Sequence, residues 1–262
     1  MQVINSKMPK PKLEDRAYQN NSEFWTEKGD NLTVMGDYLG RLPSVDLIDV
    51  RRGEVILDAG CGAGFISRRL AKKEAWVHGC DRNKKMLTQA KAEEDPCYSR
   101  IEYTKADITK LPYNNSAFDK VACIAVLIHD SPKECGQFFD EAKRVLKPNG
   151  KLFVSIMHPY LYQPQAPTRN SRASWAQYTP VDNLPMTESQ RFREDYRDSH
   201  GHIFSSVVWY HPEEAIVNLL NKSGLTPTHS QSKYVTKEVL AACNQTGDVG
   251  FPAFWQIVAE KK

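Results

Sequence analysis

Apolar runs of strand length alternate with stretches of helical spacing through the first 160 residues. Val55 to Leu57 is an apolar run ending in Asp58, and Phe65 to Ala71 continues with helical periodicity. That order predicts a strand feeding a tight turn that opens a helix. Ala75 to Cys80 predicts a second strand ending at Asp81, and Asn83 to Glu93 an amphipathic helix with Met86, Leu87 and Ala90 on one side. Ile101 to Lys105 and Val121 to Leu127 predict a third and a fourth strand. A helix follows from Lys133 to Leu146, stopped by Lys147-Pro148-Asn149-Gly150, and Lys151 to Ile156 predicts a fifth strand.

The pattern changes after Pro159. Pro159, Pro164, Pro167, Pro180 and Pro185 exclude a long regular element there. Gln190 to Tyr196 and His202 to Tyr210, joined by Asp198-Ser199-His200-Gly201, predict a hairpin. His211-Pro212-Glu213-Glu214 starts a helix with Ala215, Ile216, Leu219 and Leu220 on its apolar face, and Ser223-Gly224 ends it. Leu225 to Val235 and Ala253 to Ala259 predict two last strands, with a long polar loop between them. At the other end, residues 1–15 are polar and read as a loose arm, and Tyr18 to Leu39 as a partly helical, aromatic-bearing segment.

Composition narrows the class of protein. With 262 residues the chain can bury a sizeable core. The formal charge is +3, with no block of five or six like charges, so there is no nucleic-acid footprint of the usual kind. The six cysteines show no C-x-x-C and no Cys/His spacing suited to zinc, which points to a reduced, cytoplasmic setting. No apolar run approaches bilayer length and no secretory signal is apparent, so no membrane partner is expected.

The chemistry concentrates in Asp58-Ala59-Gly60-Cys61-Gly62-Ala63-Gly64. Glycine serves where backbone takes positive φ or a ligand lies against it. A dinucleotide fingerprint would read G-x-G-x-x-G. Here the third glycine comes one residue early, and an acid precedes the turn. A carboxylate repels a pyrophosphate and favours an ammonium. Asp81, about twenty residues on, sits where such folds hold a ribose diol. The stretch resembles the first motif of class I S-adenosylmethionine-dependent methyltransferases. Ala106-Asp107-Ile108 stands where that family contacts adenine, and Arg144-Val145-Leu146-Lys147-Pro148-Asn149-Gly150-Lys151-Leu152 is similar to its R-x-L-K-P-G-G-x-L signature. Asn149 replaces the first glycine there, and Asn tolerates left-handed backbone well.

The resemblance implies a doubly wound, seven-stranded, mostly parallel α/β sheet closed by an antiparallel pair, with an inserted lid after the fifth strand. The expected division is 1–49 as arm and helical cap, 50–158 with 211–262 as cofactor-binding core, and 159–210 as lid. S-adenosyl-L-methionine is the implied cofactor. Asp58, Gly60, Gly62 and Gly64 would hold its methionine part, Asp81 its ribose, Asp107 and Ile108 its adenine, and backbone near Ile124 its amino group, with Cys61 and Arg82 also among the cofactor-binding residues. Tyr18 and Trp25 belong to an expected cap over it.

The implied reaction is methyl transfer to an oxygen or nitrogen of a small metabolite. The alternatives are a macromolecular acceptor, such as a peptide terminus or tRNA, and a non-catalytic cofactor-binding subunit. Two histidines follow strand ends that border the crevice, His129 after the fourth and His158 after the fifth. They are the candidate proton acceptors or hydrogen-bond donors to the substrate, while His129 reads equally as packing on the helix begun by Asp130-Ser131-Pro132. The acceptor pocket would draw on Tyr160, Tyr162, Trp175, Tyr178, Arg191, Arg193, Tyr196, Arg197, Trp209, Tyr210 and His211, with Tyr160, Tyr196, Trp209, Tyr210 and His211 foremost. Aromatic rings give rigid walls and Arg pairs with carboxylates. The place after the fourth strand, Ala125-Val126-Leu127-Ile128-His129, lacks the [D/N/S]-P-P-[Y/F/W] segment of base amino-methylating enzymes. Only Asp130 is offered as an oxygen ligand there, so no catalytic metal is expected, and the protein is expected to be a monomer or homodimer.

Overall fold

A computed structural model describes residues 37–94, 100–163, 177–182, 184–197, 203–242 and 249–262. A single π-type turn, Asp37–Arg41, leads into helix α1 (Leu42–Leu47). There follow β1 (Val55–Ala59), α2 (Phe65–Lys72), β2 (Trp76–Asp81), α3 (Lys84–Ala92), β3 (Ile101–Lys105), β4 (Phe118–Ile124), α4 (Pro132–Val145) and β5 (Leu146–Met157). A three-stranded excursion comes next: β6 (Gln177–Pro180), β7 (Gln190–Arg197) and β8 (Ile203–Tyr210). Then α5 (Glu213–Lys222), β9 (Leu225–Tyr234), α6 (Lys237–Ala242) and β10 (Pro252–Lys261) complete the chain.

The main sheet has seven strands in the order β3-β2-β1-β4-β5-β10-β9, and β6-β7-β8 form a second sheet. Strands β1 to β5 are mutually parallel, while β10 runs antiparallel to both β5 and β9. This is the doubly wound sheet expected from the alternation of strand and helix. Because successive side chains point to opposite faces, Ile56 packs with Val45 of α1, with Ile48 just after it, and with Phe65 and Leu70 of α2. Its neighbour Leu57 packs on the other side with Phe138 and Phe139 of α4 and Ile216 and Leu220 of α5. A sheet covered on both faces needs strands that are apolar throughout, which is why β1 and β4 read as continuous runs.

Helix ends follow local chemistry. Asn83 caps α3, its side-chain oxygen accepting from the backbone N–H of Lys85 at 2.9 Å. Ser131 and Glu134 form a reciprocal capping box at the start of α4. Gly224, with φ 75°, turns the chain after α5.

The structure departs from the sequence reading at several points. β4 ends at Ile124, not Leu127, because Ala125 takes φ 59° and leaves the strand for a 3-10 turn at Leu127–His129. β5 begins at Leu146, not Lys151, through a register break in which Phe118 and Lys120 face Leu146 and Lys151. Asn149 supplies the left-handed residue of that break, with φ 62°. The polar loop before the last strand contains α6, anchored by buried Leu240.

Candidate active site

The crevice lies at the carboxyl ends of β1, β2, β4 and β5, the place where open α/β sheets take ligands. Its floor is the turn after β1. Gly60, Gly62 and Gly64 have φ of 75°, 53° and 82°, a region that side-chain-bearing residues rarely enter. Gly60 has a second constraint, since a Cβ there would come within 2.4 Å of Val126 Cγ2. The left-handed excursion at Ala125 is what lowers Val126 onto that glycine. The turn is tied down by Gly60 and Cys61 N–H groups, which donate to Cys80 O at 2.8 and 2.9 Å. From α2, Arg68 Nη1 donates to Ala63 O at 2.6 Å while its Nη2 pairs with Glu93 at 2.7 Å.

Two carboxylates flank the turn. Asp58 is buried in β1, and its Oδ2 accepts from Ser67 Oγ at 2.6 Å. Burial raises its pKa to about 6, against the lowering effect of the Ser67 bonds. Asp81, at the end of β2, accepts from Gly62 N–H at 3.0 Å and from Asn83 N–H at 2.7 Å. Burial raises its pKa too, with those two backbone bonds opposing. Both oxygens of Asp81 are thereby fixed in direction, and each retains a second lone pair. Nearby, Asn83 Nδ2 is buried with no hydrogen-bond partner. A partnerless donor beside an oriented carboxylate suits a hydroxyl-bearing sugar, and the acid pair suits a cation. These residues fit a methionyl-adenosine sulfonium and oppose a diphosphate.

The remaining expected cofactor contacts are less concentrated. Arg82 is half-buried beside Asp81. Asp107 is exposed and its Oδ1 accepts from the backbone and hydroxyl of Thr109 at 2.9 and 2.7 Å. Ile108 is buried in the main core cluster, and Ile124 closes β4 at the crevice. Cys61 is buried, and its thiol pKa is driven well up by burial and by Asp58 and Asp81. Tyr18, Trp25 and Trp175 lie outside the described residues, as does the side chain of Tyr196.

The three histidines sit in different surroundings. His129 sits in the turn after β4, and burial followed by the charge of Arg82 lowers its pKa to about 4. It is uncharged at neutral pH. His158 is instead the cap of the 3-10 turn Pro159–Tyr162, its Nδ1 accepting from Tyr160 N–H at 3.1 Å. Its Nε2 lies 3.2 Å from Glu213 Oε1. His211 is buried where the second sheet meets the core. Its Nε2 is 3.2 and 3.1 Å from the carbonyls of Leu127 and Asp130, and its Nδ1 is 3.1 Å from Ser189 Oγ. Both ring nitrogens of His158 and His211 are thus engaged by the protein. His211 in particular links the second sheet to the turn bearing His129.

Of the other acceptor-side aromatics, Tyr160 is half-buried, its ring 6.4 Å from Phe251. Tyr210 is buried and its hydroxyl donates to Met186 O at 2.6 Å. Trp209 is half-buried, lies parallel to the His211 ring at 6.2 Å, and keeps a buried Nε1–H without a partner. Arg191 and Arg193 pair with Asp182 and Asp195, each at 2.8 Å. Ser67, Asn83 and Val126 were not singled out from sequence. Asn83 had a signal, since it is a capping residue two places after the ribose-type acid, and Val126 had none.

Comparison with known proteins agrees with this geometry. A family described as "Methyltransferase domain" matches residues 56–150. A Coxiella burnetii protein named ubiquinone biosynthesis O-methyltransferase is 31% identical over 126 residues, 47% of this chain and 53% of the relative. The chain thus spans about half the length of that relative. A Cereibacter sphaeroides ubiquinone/menaquinone biosynthesis C-methyltransferase is 29% identical over 186 residues, 69% of each chain. Among solved structures, the PH0226 protein of Pyrococcus horikoshii superposes with a TM-score of 0.68 at 20% identity, over 93% of this chain and 98% of that one. It shares the fold. Residues 56–150 thus match a methyltransferase domain, and the glycine turn, the two flanking acids and the sheet order support a class I S-adenosylmethionine-dependent methyltransferase.

Proposed function

We propose that this protein transfers a methyl group from S-adenosyl-L-methionine to an oxygen or nitrogen of a small molecule. The observation that carries the reading is the Asp81 carboxylate, held between Gly62 N–H and Asn83 N–H beside a turn of three left-handed glycines. When bound, the sulfonium supplies an already activated methyl group. The protein's part is to hold donor and acceptor in line and to exclude water. Asp58 and the glycine turn hold the methionine end, Asp81 the ribose, and Asp107 and Ile108 the adenine side.

Residues 159–210 serve as the acceptor-side cover. Support comes from the second sheet, which is anchored through His211 onto the turn after β4. His129, uncharged at neutral pH, accepts a hydrogen bond or a proton from the substrate, its lowered basicity suiting the former. One relative is named an O-methyltransferase of ubiquinone biosynthesis and another a C-methyltransferase of ubiquinone/menaquinone biosynthesis, which supports a small-molecule acceptor.

The test is to supply the purified protein with methyl-labelled cofactor and fractionated cell extract. Label in low-mass products is expected. Label in protein or tRNA instead would assign a macromolecular acceptor. No label, together with no calorimetric response to S-adenosylhomocysteine, would sink the reading.

A further inference from the structure

The glycine turn after β1 is held from two sides. From β2, Cys80 O accepts from the N–H groups of Gly60 and Cys61 at 2.8 and 2.9 Å, and Asp81 Oδ2 accepts from that of Gly62 at 3.0 Å. Gly64 N–H closes the turn on itself, donating to Cys61 O at 2.9 Å. With those donors spent inside the protein, the turn offers a ligand mainly carbonyl oxygens, which suit an ammonium. Glycine takes either sign of φ with little penalty, so a turn containing three of them has several shapes of similar energy. One shape prevails only if neighbouring groups hold it.

The second side is a charged clamp. Arg68 of α2 is 6% exposed, and its Nη1 donates to Ala63 O at 2.6 Å while its Nη2 donates to Glu93 Oε2 at 2.7 Å. Glu93 follows α3, and its other oxygen accepts from Gln89 Nε2 one turn earlier. A Cβ on Gly64 would lie 3.0 Å from Arg68 Nη1, so the guanidinium lies against the turn itself. Burying a guanidinium carries a desolvation cost that an apolar side chain of similar length would not. What the planar fork adds is two bonds in fixed directions, here one to the turn and one to the end of a different helix. The ribose side has its own support, since Asp81 Oδ1 accepts from Asn83 N–H at 2.7 Å.

We infer that Arg68 is a positioning residue for the methionine end of the cofactor: its clamp between Ala63 O and Glu93 keeps the glycine turn in the shape that receives that end. It acts through the turn and not by contact, because the guanidinium is buried behind it. This assignment rests on the methyltransferase reading and concerns one end of the cofactor only.

The experiment exploits that restriction. S-adenosylhomocysteine and methylthioadenosine share the nucleoside and the thioether, but the second lacks the amino-acid end. Binding of both is measured by calorimetry for wild type, Arg68→Met, Arg68→Lys and Glu93→Gln. Arg68→Met is expected to weaken S-adenosylhomocysteine by about tenfold or more and methylthioadenosine by about twofold at most. Glu93→Gln loosens the anchor and is expected to weaken S-adenosylhomocysteine by about threefold, with methylthioadenosine unchanged. Arg68→Lys keeps the charge without the fork and is expected to recover only part of the loss. Full recovery with Lys would make charge decisive and overturn the inference. Equal losses for the two ligands, or no loss for S-adenosylhomocysteine, would overturn it as well. Should Arg68→Met fail to fold, Glu93→Gln decides alone. Wild type that binds S-adenosylhomocysteine but not methylthioadenosine would also count against it, since the two ends would then not be separable. Failure of S-adenosylhomocysteine to bind wild type would instead strike the methyltransferase reading itself.

Discussion

Replacing His211 by Gln is expected to flatten the acid side of the stability profile. The folded-state pKa of His211 falls from 6.5 to about 4, because burial disfavours the imidazolium more than the Leu127 and Asp130 carbonyls favour it. The sign follows from proton counting: between those two values the unfolded chain holds a proton that the folded one lacks, so stability falls as pH falls. At pH 5 the cost of that missing proton is about 2 kcal/mol relative to pH 7. Gln removes the titration yet retains an amide donor that reaches the same two carbonyls. At pH 7 the variant loses the imidazole packing and the Ser189 contact, about 1–2 kcal/mol. At pH 5 most of that deficit is regained against wild type. Urea unfolding of both proteins at pH 7 and pH 5, followed by tryptophan fluorescence, measures the difference. His129, His158 and Asp58 titrate in both proteins, so their contributions cancel. Equal pH dependence of the two proteins within about 0.5 kcal/mol would refute the reasoning, since it would mean that His211 is readily protonated in the folded state.

Other expectations concern the crevice. Gly60→Ala places a methyl against Val126 and a side chain at φ 75°, so a loss of about 3 kcal/mol in stability is expected, together with loss of S-adenosylhomocysteine binding by calorimetry. Asp81→Asn keeps the shape but weakens both backbone bonds and the sugar contact. Its dissociation constant for S-adenosylhomocysteine is expected to rise by about tenfold or more, with a melting change too small to account for it. Because Asp58 has a pKa near 6 and its charged form favours an ammonium, cofactor affinity is expected to increase from pH 5 to pH 7 and then level off. A flat profile across that range would remove Asp58 from the methionine end.

The parallel core was readable because its strands are buried on both faces and so appear as unbroken apolar runs. The glycine turn was readable because three positive φ values in five residues strongly favour glycine. Asn149 also announced itself, as the residue best able to take a left-handed turn without being glycine. The end of β4 was not legible. Ala125-Val126-Leu127 continues an apolar run, and local sequence has no sign that Ala125 will turn to φ 59°. What decides it is a contact 66 positions away, Val126 on Gly60. His158 looked like a substrate group because it follows a strand end, and His211 because it belongs to the aromatic-rich pool of the inserted segment. Each precedes a proline, and in the structure both ring nitrogens of each meet neighbouring protein groups. Composition cannot tell an imidazole that faces a ligand from one that braces a turn. Tyr162 was equally indistinct within a pool of aromatics, because its burial against the rings of Tyr178, Phe192 and Tyr210 is a property of packing.

The position of β10 governs how the molecule can be made. It is the last strand in the chain, yet it lies between β5 and β9, and β9 has no other neighbour in the main sheet. While the chain is being synthesised, β5 must therefore wait with an open edge, and β9 has nothing to join until β10 emerges. A product halted before residue 252 would present that unpaired edge together with the bare apolar flank that Trp255 and Ile257 normally cover. Such a fragment is a substrate for chaperones and proteases, and a seed for edge-to-edge association. Pairing of β10 thus completes the sheet, and a change that hinders that pairing will depress the yield of folded protein before it touches any group in the crevice.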